Sequence, residues 1–387
     1  MKIVHICSAP LVPQHPDYQR LKASHHSGHW VLDLARAQRM YTTLRPELLV
    51  NVPGSTVDFD SELDGVPVHY LRCQANYRAK TLLLFETHRL ASRLRQLHPD
   101  LVHAHGTEDA HLLAAQRSGL PYVVTAQGVH CIINPILQRP WWHRQKVIEF
   151  LERRALRRAR HLIAKSDYIG EKLQALFPNL TIHRIPNTFD PAVAALSPVP
   201  KISRQMAFVG TLDERKGLHL LRAALESIHE RFPDLSLKVI GSGRGETDYA
   251  KREELALKRL LGSRCDFAGR LAHLDAVRLV AAAHVLIAPS LEEMFGNQVI
   301  EALLVRTHCL VSSQTAMAEN ILRFGNGTIF QNGHAADLAE QLSSVLQTTA
   351  FPEADGARAR ILEYMAPERV AAAHAEVYGK VLQAVHG

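Results

Sequence analysis

The sequence predicts an α/β protein built as two doubly wound domains facing a central cleft. Short β-branched runs alternate with longer helical patterns along the chain, which is how repeated βα units and parallel sheets read. With 387 residues, the chain is longer than one ordinary core supports. Near its middle, Pro186-Asn187-Thr188-Phe189-Asp190-Pro191, followed by Ser197-Pro198-Val199-Pro200, breaks both periodicities and reads as a linker. The expected domains are residues 1–190 and 191–366, with a helix over 367–387 packing back on the first.

In the first half the expected strands are Lys2–Cys7, Leu48–Val52, Val66–Leu71, Leu101–His105, Tyr122–Thr125, His161–Ala164 and Ile182–Ile185. In the second they are Met206–Val209, Ser236–Ile240, Asp266–Ala268, His284–Ala288 and Cys309–Ser312. Doubly wound sheets bind ligands beyond the carboxyl ends of their strands, so chemistry is sought in the loops that follow them.

Composition excludes several classes. Hydrophobic residues make up 47% and charged residues 21%, the balance of a globular protein and not of a disordered one. The longest apolar runs, such as Ala281–Ala283 with Val285–Pro289, are broken by His284 and fall short of the roughly 20 residues that span a bilayer. Met1-Lys2-Ile3-Val4-His5-Ile6-Cys7 is a poor secretion signal and a good first strand. Five scattered cysteines without a CxxC pair fit a reducing cytoplasm better than a disulfide framework or a zinc site.

The segment with the most chemical content runs Pro289-Ser290-Leu291-Glu292-Glu293-Met294-Phe295-Gly296-Asn297-Gln298-Val299-Ile300-Glu301. It follows a strand and opens a helix, expected from about Phe295, with Glu293 in the loop and Glu301 about two turns in. Gly296 admits a ligand to the backbone, and the first helical N–H groups, with Asn297, suit an anionic diphosphate or a sugar hydroxyl. Carboxylates accept hydrogen bonds from sugar and ribose hydroxyls. A helix with an acidic first turn is the simpler reading of the same residues.

This segment resembles glycosyltransferase family 4, whose members carry a Glu-x7-Glu motif here. The resemblance implies a GT-B fold of two Rossmann-like domains and transfer with retention of configuration, without a bound metal or cofactor. The co-substrate it implies is a nucleotide-diphosphate sugar of UDP or GDP type, with Glu293 on the donor sugar and Glu301 on the ribose. Phe208-Val209-Gly210-Thr211-Leu212-Asp213-Glu214-Arg215-Lys216-Gly217 matches a second family stretch, where a cation neutralises the departing diphosphate. Lys216 matches the family lysine; the usual arginine after Gly210 is Thr211, and Arg215 partly replaces it. Gly241-Ser242-Gly243 resembles the family's glycine turn, Phe267-Ala268-Gly269-Arg270 the segment framing the base, and Arg306 stands where the family has glycine.

In the first half, His103-Ala104-His105 follows the pattern of a metal pair, but no Cys or carboxylate set completes a tetrahedron, and no metal is expected. Where the family often has Thr-x-His-Gly, this chain has Thr125-Ala126-Gln127-Gly128-Val129-His130. Gln127 can bond a sugar hydroxyl but cannot act as a base. Gly28, His105 and His130 are the candidates for an acceptor or phosphate loop; His25, His26 and His29 read as ordinary loop residues.

The net charge of +7 is local. Residues 139–165 hold seven arginines and two lysines against Glu149 and Glu152, leaving 36 basic and 36 acidic residues elsewhere. Arg153, Arg154, Arg157, Arg158 and Arg160 share one broad helical face after Trp141-Trp142. Val147, Ile148, Leu151 and Ala155 lie on or near the other. That pattern suits an anionic membrane surface, at about 1 kcal/mol per nearby basic residue. It implies a peripheral enzyme on the inner face of the plasma membrane. Nucleic acid is not an expected partner, because no helix-turn-helix, RRM or zinc-finger pattern is present.

The function expected is transfer of a sugar to a glycan or lipid-linked acceptor, in bacterial surface polysaccharide or lipopolysaccharide synthesis. A nucleotide-sugar 2-epimerase and a catalytically weakened nucleotide-sugar-binding protein are the alternatives, the latter favoured by Thr211, Gln127 and Arg306.

Overall fold

The computed structural model describes residues 1–21, 28–73, 83–107, 109–137, 143–243 and 248–386. Trp141 and Trp142 lie outside the described residues, as do His25 and His26. By its internal contacts the chain divides into two compact units, Met1–Thr188 with Met365–Gly387 and Phe189–Tyr364.

The first unit is an eight-stranded sheet in the order β3-β4-β2-β1-β5-β6-β7-β8. Its strands are β1 (Lys2–Cys7), β2 (Arg45–Pro53), β3 (Phe59–Leu63), β4 (Val66–Cys73), β5 (Leu101–His105), β6 (Tyr122–Thr125), β7 (His161–Ala164) and β8 (Thr181–Arg184). All neighbours are parallel except β3, which pairs antiparallel with β4. Central strands read as continuous apolar runs because helices cover both faces; every residue of β5 is buried. Strand β3 was not expected. Its Phe-Asp-Ser-Glu-Leu composition is half exposed, and what sets it is the Asp64-Gly65 turn, both residues at positive φ (49° and 80°), the geometry of a two-residue hairpin.

The second unit is a fully parallel six-stranded sheet in the order β11-β10-β9-β12-β13-β14. These are β9 (Ile202–Val209), β10 (Ser236–Ile240), β11 (Cys265–Gly269), β12 (Ala283–Ala288), β13 (His308–Ser312) and β14 (Gly327–Phe330). The short edge strand β14 was also not expected. Its core joins Phe208, Val239, Ile287 and Leu310 of the sheet to Leu221 and Leu225 of the helix Leu218–Ile228. Arg306 adopts φ 62°, the left-handed conformation for which glycine is the easy residue, and its guanidinium pairs with Asp355 at 2.5 Å.

The final helix, Pro367–His386, belongs to the first unit and packs on His29–Tyr41. Beneath it lies a buried polar chain. Parallel register places His5 beside His103, and His105 two residues on shares their face. His5 Nε2 meets Gln38 Oε1 at 2.9 Å and His5 Nδ1 meets His105 Nε2 at 2.9 Å. Gln38 Nε2 donates to the Tyr378 hydroxyl at 2.9 Å, which contacts His103 Nδ1 at 2.7 Å. His103 Nε2 then reaches Thr125 Oγ1 at 2.6 Å. One assignment satisfies the series: His5 donates to Gln38 and accepts from His105, while Tyr378 donates to His103, which donates to Thr125. Burial holds all three rings neutral, with His5 pushed down to about 3. The ring nitrogens of His5, His103 and His105 lie within 4.8 Å of one another, a spacing a metal could use. Both nitrogens of His5 and of His103 are engaged by these bonds.

Tyr378→Phe would strip a partner from Gln38 Nε2 and His103 Nδ1 inside the core. Leaving such groups unpaired costs about 1–3 kcal/mol, and urea unfolding should show a loss of that size with an unchanged slope.

Candidate active site

The second unit's site forms where three adjacent strands end. After β9 the chain passes Gly210 and Thr211 to Asp213, whose side chain caps the single turn Glu214–Lys216 by accepting from the Lys216 amide at 3.2 Å. Gly217 follows at φ 73°, and a Cβ there would lie 1.9 Å from the Pro289 carbonyl oxygen after β12. The two loops therefore touch backbone to backbone, and the Leu291 amide donates to the Arg215 carbonyl at 2.8 Å. On the other side, a Cβ on Gly241 after β10 would lie 1.9 Å from the Gly210 carbonyl oxygen, so side chains are excluded there too. Gly243 lies in the same loop, where Ser242 accepts from the Leu212 amide at 3.2 Å.

This closeness brings the two basic side chains to one carboxylate. Lys216 Nζ lies 2.5 Å from Glu293 Oε2, and Arg215 Nη1 lies 3.7 Å from the same oxygen. Arg215 also donates to the Glu292 carbonyl at 3.0 Å. The three side chains are between 12% and 19% exposed, so solvent screens them weakly. Burial would raise the Glu293 carboxyl, but the charges of Lys216 and Arg215 outweigh it and hold it near 2. Two cations against one anion leave the trio with a net positive charge. A guanidinium is thus present four residues after the position where one was expected, in Arg215, and the Thr211 carbonyl accepts from the Asp213 amide at 2.9 Å.

The helix after the glutamate loop runs Asn297–Leu304, two residues later than expected, so Glu301 sits about one turn in and not two. Gly296 precedes it at φ 82°, where a Cβ would come within 2.5 Å of Met317. Phe295 is corrected from donor contact to core: its ring is buried, and its carbonyl accepts from Asn320 Nδ2 at 2.7 Å. Arg270 stands exposed directly after β11. Glu301 Oε1 meets His273 Nε2 at 2.9 Å, and His273 Nδ1 meets Asp190 Oδ2 at 3.3 Å. The bonds to Asp190 and Glu301 push the imidazole up to about 10. Nothing in the sequence spacing signalled His273 or Asp190.

The first unit's candidates separate. Gly28 is buried at the start of His29–Tyr41, and a Cβ there would lie 2.1 Å from the Ser8 carbonyl oxygen. His105 is corrected from loop to core: it ends β5 at 5% exposure, bonded to His5. Its ring still borders a narrow cleft lined by Trp30, Lys165, Asn187 and His374. Gln127 follows β6, and its amide nitrogen is buried with no hydrogen-bond partner among the described residues. His130 begins the helix His130–Ile136.

Glu149 and Glu152, the two acids of the basic segment, are both buried. Glu152 accepts from Thr107 Oγ1 at 2.6 Å and from the Cys131 amide at 3.1 Å, tying the loops after β5 and β6 together. Burial pushes it up to about 7, against the pull of those bonds. Arg153 pairs with Glu149 at 3.1 Å and is partly exposed, whereas Arg154, Arg157 and Arg158 are exposed. The helix ends at Leu156, short of Arg160.

Set beside known proteins, residues 28–193 match the family described as Glycosyltransferase Family 4, and residues 197–361 match Glycosyl transferases group 1. The chain is a family 4 glycosyltransferase. The glycogen synthase of Mycobacterium tuberculosis is 28% identical to it over 293 residues, covering 73% of this chain and 69% of that one. Among solved structures, sucrose-phosphate synthase from Thermosynechococcus elongatus superposes at a TM-score of 0.77 with 16% identity over 99% of both chains. HepE of Anabaena, solved in complex with UDP-glucose, gives 0.73 with 18% identity over 98% of this chain and all of that one. These likenesses establish for the family 4 enzyme the GT-B fold of two Rossmann-like units.

A carboxyl raised by burial contributes stability that is full below its ordinary range and lost as pH rises through its folded value. The wild-type enzyme should therefore lose stability at Glu152 between about pH 5 and 8, and Glu152→Gln should flatten that stretch of the thermal-midpoint profile.

Proposed function

We propose that this glycosyltransferase takes a nucleoside-diphosphate sugar of UDP or GDP type in its second unit and transfers the sugar with retention of configuration to a glycan or lipid-linked acceptor. The observation that carries the reading is the Glu293 carboxylate held by Lys216 and Arg215 between the β9 and β12 loops. In this reading the two cations meet the charge that develops on the departing diphosphate, a role that needs no resident metal. Glu293 and the amides at the start of Asn297–Leu304 take the sugar and phosphate oxygens, and Glu301 takes the ribose hydroxyls. Gly210, Gly241 and Gly243 let the nucleotide approach the backbone, with Thr211, Asn297 and Arg270 at its margins. The bond from the anomeric carbon to the phosphate oxygen breaks, the acceptor oxygen bonds to that carbon, and the leaving phosphate takes the acceptor's proton. No protein base is needed, which accords with glutamine at position 127. The unpartnered Gln127 amide suits an acceptor or donor oxygen.

The setting we propose is bacterial surface polysaccharide or lipopolysaccharide synthesis, with the enzyme peripheral on the cytoplasmic leaflet. Among the described residues no helix is long and apolar enough to cross a membrane. What supports contact with lipid is the helix Arg144–Leu156, where Phe150 is 62% and Val147 38% exposed next to Arg154, Arg157 and Arg158. An apolar tip among cations fits an anionic interface.

Turnover of a panel of UDP-, GDP- and ADP-sugars tests the chemistry. Lys216→Met should lower kcat with the preferred donor by about 100-fold or more; wild-type turnover in that variant would remove the proposed clamp. Flotation with liposomes tests the surface: binding should rise with anionic lipid and fall when Arg154, Arg157 and Arg158 become glutamine.

A further inference from the structure

The contact between His273 and Glu301 assigns the histidine a task that the donor reading alone does not contain. We infer that His273, braced by Asp190, is a positioning residue that fixes the Glu301 carboxylate in the orientation needed to accept the two ribose hydroxyls of the nucleotide. The inference rests on the assignment of Glu301 to the ribose.

Three elements converge here. His273 is the first residue of the helix His273–Ala282, Glu301 lies in Asn297–Leu304, and Asp190 caps the short helix Pro191–Ala194 by accepting from the Ala192 amide at 2.8 Å. The imidazole spans the two carboxylates, 2.9 Å to Glu301 Oε1 and 3.3 Å to Asp190 Oδ2. Both ring nitrogens face carboxylate oxygens, so the ring donates on both sides and carries a positive charge. Its high proton affinity, about 10, agrees with that arrangement.

A glutamate side chain on a helix has several rotamers, and a 27% exposed carboxylate would sample them. Pinning Oε1 to a charged donor selects one and leaves the lone pairs of Oε2, with the second lone pair of Oε1, to receive ligand hydroxyls. Asp190 in turn keeps the imidazole protonated and turned toward Glu301, as outer carboxylates do for histidines that serve another group. Its side chain therefore holds a helix start and a ring at once.

The histidine would thus affect how tightly the nucleotide is held more than how fast the sugar moves. The test uses the full chain with UDP or GDP, whichever wild type binds, and the 2′,3′-dideoxy form of that nucleotide, by titration calorimetry. Wild type should lose affinity when the ribose hydroxyls are removed. His273→Ala should weaken the ordinary nucleotide by about tenfold and bind both forms nearly alike, with its loss falling on donor KM rather than kcat. Asp190→Asn, which preserves the helix cap, should show the same pattern to a smaller degree and keeps the test open should the alanine variant unfold. A purely structural histidine would weaken both nucleotides equally, and retained discrimination in His273→Ala overturns the inference. Wild type that binds the nucleotide without discriminating ribose overturns the Glu301 assignment, and wild type that binds no nucleoside diphosphate overturns the donor reading; the inference falls with either.

Discussion

The second unit depends on a constraint of space: the loops after β9 and β12 approach until backbone meets backbone. Gly217 has no Cβ to keep Pro289 away, and the amide of Leu291 closes on the carbonyl of Arg215. Only at that separation can Lys216 and Arg215 share the Glu293 carboxylate. Partial burial strengthens the attraction but also makes an unpaired charge costly, so loop geometry and ion pair hold each other in place. Charged groups fixed this way are preorganised, because their neighbours need no rearrangement to keep them in place.

Much of this was legible in the residues. Apolar strands separated by helical patterns gave the parallel strands of both sheets, because parallel strands buried on both faces have no polar alternation to confuse the reading. The Glu293–Glu301 spacing and the Lys216 turn were visible for the same reason: each is a local pattern at a strand end. What escaped was of two kinds. Strand β3 is a polar edge whose signal lay in the Asp64-Gly65 turn, and β14 is too short to show a period. Glu152 and His273 escaped because their partners lie far away in the sequence, Thr107 for one and Asp190 for the other, and single-sequence spacing holds no trace of such pairings.

The basic segment shows how composition misleads when the third dimension is absent. Nine cations against two acids looked like a surface with nothing to neutralise it. Glu149 and Glu152 instead turn inward, where one anchors Arg153, Lys146 and Asn134 and the other ties two loops together. The helix thus has one face that organises the first unit and another that presents arginines beside Phe150. Its charge is divided between architecture and surface.

The glycine contacts set a limit on how this scaffold can diversify. At Gly28, Gly217 and Gly241 the missing atom would fall within about the length of a covalent bond or two from a carbonyl oxygen, between 1.9 and 2.1 Å. A side chain cannot be introduced at those three positions unless the backbone shifts. Change must go through neighbours that already carry side chains, of which Thr211 stands at the end of β9 and Arg270 at the end of β11. Selectivity in such a frame is written on a few permissive sites, while the positions that look simplest are the ones that cannot change.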